Sequence, residues 1–122
     1  MYALVVDDSK AMRMILKQIL KEMGFEVVEA GNGREALERL KQTAKTDLAL
    51  VDWNMPEMNG FEFVCAVRAD RAYDDVRMMM VTTESGISQM VKALEAGANE
   101  YVMKPFTKEV IREKLTIMGI EP

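Results

Sequence analysis

Histidine is absent from this 122-residue chain, and cysteine occurs once. The first absence excludes His-based catalytic triads, His-ligated zinc and a phosphohistidine made on this chain, leaving carboxylates and lysine as the titratable chemistry. The second excludes an internal disulfide, and Cys65, set in an apolar helical segment, reads as packing rather than a reactive thiol. Positive charge is in the minority. The 16 Lys and Arg against 20 Asp and Glu leave a net charge of -4, which speaks against a face built for nucleic-acid backbones or anionic membranes. No apolar run approaches the roughly 18 residues of a membrane-spanning helix, and Met1-Tyr2-Ala3 opens no signal-like segment, so a cytoplasmic address is expected.

What is present suits one domain over residues 1–122, with 49% hydrophobic and 30% charged residues. The twelve methionines read as core filler, Met78 to Met80 in a central strand among them. Five short apolar runs alternate with five amphipathic stretches. Ser9 can cap a helix carrying Met12, Ile15, Leu16, Ile19, Leu20 and Met23 at helical spacing, with Gly24 as terminator. Phe25 to Ala30 is a second strand, expected at a sheet edge because Glu26 and Glu29 interrupt it. Asn32 with Glu35 resembles a capping box for a helix bearing Ala36, Leu37, Leu40 and Ala44. Residues 54–60 form a Pro- and Gly-containing turn before a helix through Phe63, Val64 and Val67. Ile87, Met90, Val91 and Leu94 make a further helical stripe ended by Gly97. Thr107 caps a last helix with Val110, Ile111, Leu115 and Met118 on one face, leaving no length for an output domain.

Sustained alternation of strands and crossover-length helices implies a doubly wound α/β fold with a parallel sheet. The polar residues that could do chemistry stand just past four of the apolar runs: Asp7 and Asp8, Asp52, Thr82 and Lys104. Ligands of open α/β sheets bind outside the carboxyl ends of the strands, so these positions would converge on one mouth. Each has an ordinary alternative, Asp as a cap, Thr82 as a strand terminator, Lys104 as a solvated charge. Jointly those alternatives leave unexplained why four strands end this way and the Glu-bearing one does not. Three crowded carboxylates repel one another unless a cation neutralises them, and Mg²⁺, which takes oxygen ligands and leaves room for phosphate oxygens, is the natural fit. Asp52 could then act as a carboxylate nucleophile toward a phosphoryl group.

The stretches Val5-Val6-Asp7-Asp8-Ser9, Asp52-Trp53-Asn54-Met55-Pro56, Gly60, Val81-Thr82, Ala96-Gly97-Ala98 and Lys104-Pro105-Phe106 resemble the receiver domains of two-component response regulators, most closely the stand-alone chemotaxis type. The resemblance covers nearly the whole chain. It implies a flavodoxin-like five-stranded sheet of order 2-1-3-4-5 with five helices, an order taken from that fold type rather than read from the periodicity. It implies that Asp52 is the phosphoacceptor (a 4-aspartylphosphate site), and that Asp8, Asp52 and the Asn54 carbonyl bind Mg²⁺ directly with Asp7 helping through water. Thr82 and Lys104 would contact the phosphoryl group, and the Lys104-Pro105 bond would be cis. Tyr101 would turn inward on phosphorylation and reshape a partner face that includes Ile87, Met90 and Met103. The implied partners are a histidine kinase acting in trans and a downstream target such as a flagellar motor switch component, with the chain itself a monomer and no enzyme beyond its own phosphoryl transfer and loss. A phosphorelay or kinase-regulating role outside chemotaxis is the alternative. Thr83 departs from the family, which has a smaller residue there, and bears on access to the site.

Three rival readings carry less. Gly31-Asn32-Gly33-Arg34-Glu35-Ala36 formally matches a dinucleotide fingerprint but falls at the edge strand and leaves the four strand-end positions unemployed. A phosphatase of the haloacid dehalogenase type would need an acid two residues past Asp52, where Asn54 cannot transfer a proton. An unphosphorylated binding module of the same fold is the third.

Overall fold

The computed structural model describes residues 1–120. Strands β1 (Tyr2–Val6), β2 (Glu26–Ala30), β3 (Leu48–Val51), β4 (Arg77–Thr82) and β5 (Glu100–Met103) alternate with helices α1 (Lys10–Glu22), α2 (Gly33–Gln42), α3 (Gly60–Arg68), α4 (Ile87–Ala96) and α5 (Lys108–Ile117). All neighbouring pairs are parallel and the order is β2-β1-β3-β4-β5. The expected order therefore holds, with β2 at an edge, because Glu26 and Glu29 could not be buried on both faces.

Alternate residues of the central strands feed two cores. Leu4, Val6, Ala49, Val51, Met78 and Met80 pack against Ala36 and Leu40 of α2, Phe63, Val64 and Val67 of α3, and Ala93 of α4. Ala3, Val5, Leu48, Leu50, Met79 and Val81 pack on the other face against Leu16, Ile19 and Leu20 of α1 and Ile111 and Leu115 of α5. The period-2 direction of strand side chains thus sends the methionine run to both layers, as filler in each.

Local signals set the element ends. Ser9 and Thr107 cap α1 and α5, accepting from the Met12 and Val110 amides. Asn32 accepts from Glu35 at the start of α2, but the reciprocal pair forms instead at α3, between Asn59 and Glu62. Helix α2 stops at Gln42, so Ala44 lies outside it and is exposed. Ile15 is also exposed, beside Met14, because α1 turns Leu16, Ile19 and Leu20, with Met12, toward the sheet. Cys65 is exposed as well: Gly60, Phe63, Val64 and Val67 form the inward face of α3, and position 65 falls opposite, which overturns its reading as packing. Along α4 the stripe of Ile87, Val91 and Leu94 faces solvent, and Ala93 alone is buried.

At the amino ends of β4 and β5, Arg68 draws the fold together. Its guanidinium donates to the carbonyls of Gly97, Tyr73 and Val76 at 3.0, 3.0 and 2.6 Å and to Asn99 Oδ1 at 3.0 Å. Gly97, at φ +119°, ends α4 under the stem of Arg68, which a Cβ would strike.

Candidate functional site

At the opposite end, the carboxyl ends of β1, β3, β4 and β5 bring Asp7, Asp8, Asp52, Thr82 and Lys104 into one mouth. One carboxylate oxygen each from Asp7, Asp8 and Asp52 lies within 4.8 Å of the other two. The sheet sets this directly: the Asp7 amide donates to Ala30 O at 3.1 Å and the Asp52 amide to Val6 O at 2.9 Å, so both acids continue strand pairing.

Asp7 is 1% exposed and held on every side. Its Oδ1 accepts the Ser9 amide at 2.8 Å, its Oδ2 accepts Lys104 Nζ at 2.7 Å, and its carbonyl accepts Arg13 at 2.7 Å. Asp52 is buried, with Oδ1 accepting the Trp53 amide at 2.8 Å and Oδ2 3.5 Å from Lys104 Nζ. Burial pushes the Asp52 carboxyl above its usual range, and the neighbouring Asp7 charge adds to that; the Thr82 hydroxyl, Lys104 and the Trp53 amide offset part of it. Asp8 faces solvent.

Loops close two sides. Gly60 follows the turn after Asp52, its amide bonded to Trp53 O at 2.9 Å, and a Cβ there would overlap the Asp52 carbonyl. Asn54 donates to Glu84 Oε1 at 2.7 Å, bridging the loops that follow β3 and β4. Thr82 is fully buried, and its Oγ1 accepts the Glu84 amide at 3.3 Å. Thr83 is exposed. Trp53 stacks on Phe61 of α3 at 5.7 Å between ring centroids, and Lys92 of α4 sits 5.0 Å over that ring.

Tyr101 is already inward in this structure, 6% exposed, its hydroxyl donating to the Glu84 carbonyl at 2.6 Å. Burial, with Glu84 and Asp52 nearby, raises its pKa. Ile87 and Met103 are exposed, at 79% and 46%, while Met90 is half-buried against the core. Of the residues expected on a partner face, Ile87 and Met103 are thus exposed and Tyr101 is not; Val91 and Leu94 are exposed on the same helix as Ile87. The Lys104-Pro105 bond is cis.

Two participants carried no sequence signal. Glu84 ties Asn54, Thr82 and Tyr101 together through its side chain, amide and carbonyl, two of which are backbone groups that no residue type advertises. Arg13 reaches the Asp7 carbonyl from α1, where the apolar stripe alone was informative. The dinucleotide reading fails on Gly33, whose amide donates to Met58 O at 3.0 Å with Met58 packed where a Cβ would stand, so the chain itself fills the space a pyrophosphate would need.

The cluster suits a hard divalent ion: oxygen donors only, three acids against one lysine, and one acid free to face solvent. No helix among the described residues is long and apolar enough to cross a membrane. Residues 3–116 match the response regulator receiver domain family. The chain is 48% identical over 119 residues to chemotaxis protein CheY1 of Helicobacter pylori, covering 97% of this chain and 96% of the relative. It is 48% identical over 116 residues to the chemotaxis protein CheY homolog of Campylobacter jejuni, covering 94% and 89%. Among solved structures, Vibrio cholerae CheY4 superposes with a TM-score of 0.88 at 36% identity, covering 95% of this chain and 96% of that one.

Proposed function

Because the chain belongs to the response regulator receiver domain family, we propose that it is a stand-alone regulator that takes a phosphoryl group from a histidine kinase onto Asp52 and thereby changes its binding to a partner protein. The observation that carries this reading is the convergence of three carboxylates, Thr82 and Lys104 on one mouth. An Asp52 oxygen forms the new bond to phosphorus as the bond from phosphorus to the donor breaks; the donor nitrogen keeps that electron pair and takes up a proton. Because this chain has no histidine, the donor is another chain. Mg²⁺, held by Asp8, Asp52 and the Asn54 carbonyl with Asp7 through water, would supply charge screening for the incoming phosphoryl oxygens. Lys104 and the Thr82 hydroxyl bind the phosphoryl oxygens, which places a cation and a donor where charge accumulates. Beyond forming and losing this acyl phosphate the chain turns over no substrate. It works as a cytoplasmic monomer, and its target is a flagellar motor switch component, a reading supported by the chemotaxis names of its relatives.

Incubation with acetyl phosphate and Mg²⁺ should add one phosphoryl group by intact mass, and Asp52→Asn should add none while staying folded by circular dichroism. Labelling that survives in Asp52→Asn would move the acceptor elsewhere. A beryllofluoride-dependent pull-down that recovers a phosphotransfer protein and no motor component would turn the reading toward a relay.

A further inference from the structure

We infer that Arg13 and Glu29 form a positioning pair that aims Asp8 into the acidic cluster and so sets its affinity for a divalent cation, an inference that rests on reading the cluster as a cation site. Asp7 and Asp52 are each gripped by amides and Lys104, whereas among the described residues no hydrogen bond or ion pair holds the Asp8 carboxylate. What limits where it can reach is therefore the placement of its backbone, from which its rotamers start. The Asp7 carbonyl and the Asp8 nitrogen share one rigid peptide plane, and Arg13 fixes that plane by donating to the carbonyl at 2.7 Å.

Arg13 is fixed in turn. Its Nε lies 3.2 Å from Glu29 Oε1, while Glu29 Oε2 accepts Lys17 Nζ at 3.2 Å and the Glu29 carbonyl accepts Arg39 at 3.3 Å. Burial alone would raise the Glu29 carboxyl, but the hydrogen bonds and charges of Lys17 and Arg13 outweigh it and hold Glu29 below its ordinary value. Partly exposed ion pairs like these add little to stability, so their consequence lies in what Arg13 holds. This gives Glu29 a role that its place in an edge strand left open.

Two effects of Arg13 oppose each other, which makes the sign of the experiment decisive. Its positive charge near a cation site weakens binding; its hold on the peptide strengthens it. Calorimetric titration of the full chain with Mg²⁺ at fixed ionic strength should give about tenfold weaker binding for Arg13→Met, the range seen when supporting partners of metal ligands are removed. Lys17→Met removes a charge from the same Glu29 without touching Asp7 and should leave binding unchanged or tighter. Glu29→Gln should weaken it, by less than Arg13→Met. In metal-free protein the backbone ¹⁵N order parameter of Asp8 should fall in Arg13→Met while those of Leu4 and Val5 stay put, a readout that general destabilisation would not confine to Asp8. A folded Arg13→Met that binds Mg²⁺ as tightly as the parent overturns the inference. If Arg13→Met fails to fold, parent-like affinity in Glu29→Gln does so. A parent that binds no Mg²⁺ fells the cation reading itself and this inference with it.

Discussion

Two cations are drawn into opposite ends of this sheet and are held by opposite kinds of partner. Lys104 lies between the carboxylates of Asp7 and Asp52, at 2.7 and 3.5 Å. Arg68 lies among three backbone carbonyls and one amide oxygen, at 2.6 to 3.0 Å. Carboxylates can be protonated, can coordinate a metal, and can share their lysine with an arriving anion. The carbonyls around Arg68 cannot be protonated at physiological pH and carry no net charge to exchange, and their bonds to the guanidinium occupy them. Burial lowers the guanidinium pKa of Arg68, partly offset by Asp74, yet arginine stays charged throughout, so its clamp is the same in every state of the protein. The mouth is where Lys104 could exchange partners, and the amino end is the fixed anvil opposite it.

The largest expected effect is at the anvil. Arg68→Met strands several acceptors at once and should cost about 3 kcal/mol in urea unfolding, since hydrogen bonds to charged groups are worth roughly 1.5–3 kcal/mol each. That loss should be the same with and without Mg²⁺. Lys104→Met should cost nearly as much in metal-free protein, roughly 3 kcal/mol, because it leaves the buried carboxylates of Asp7 and Asp52 without their cation. Added Mg²⁺ should return most of that loss. Equal, metal-insensitive losses for the two variants would erase the contrast.

The smallest effect sharpens the same point. The folded-state pKa of Asp52 is raised, so its ionised form is less favourable folded than unfolded, and the penalty is fully present above the folded pKa and absent below the ordinary value of 3.8. Asp52→Asn should therefore raise the melting temperature of metal-free protein at neutral pH, and the gain should vanish as pH falls toward 3.8. Arg68→Met should have no such pH dependence.

Much of this was legible in the chain because it rests on period and punctuation. The apolar runs of β1, β3 and β4 are continuous, since both faces are buried, and each ends in the residue that reaches the mouth. What escaped was decided by orientation around helices and by backbone groups. The stripe Ile87–Val91–Leu94 has helical spacing, yet Ala93, flanked by half-buried Met90 and Ala96, is what α4 turns toward the core. Cys65 and Ile15 were misplaced for the same reason: spacing names a face but not which way it turns. Glu84 and Arg13 act on or through main-chain atoms, which one sequence spells identically at every position.

The contact between Gly60 and the Asp52 carbonyl reaches into protein engineering. Helix α3 starts against the acid's own backbone, with room for a hydrogen and nothing larger. A loop grafted between those two points inherits a fixed landing: it must come home to Asp52 with a residue that has no side chain at all.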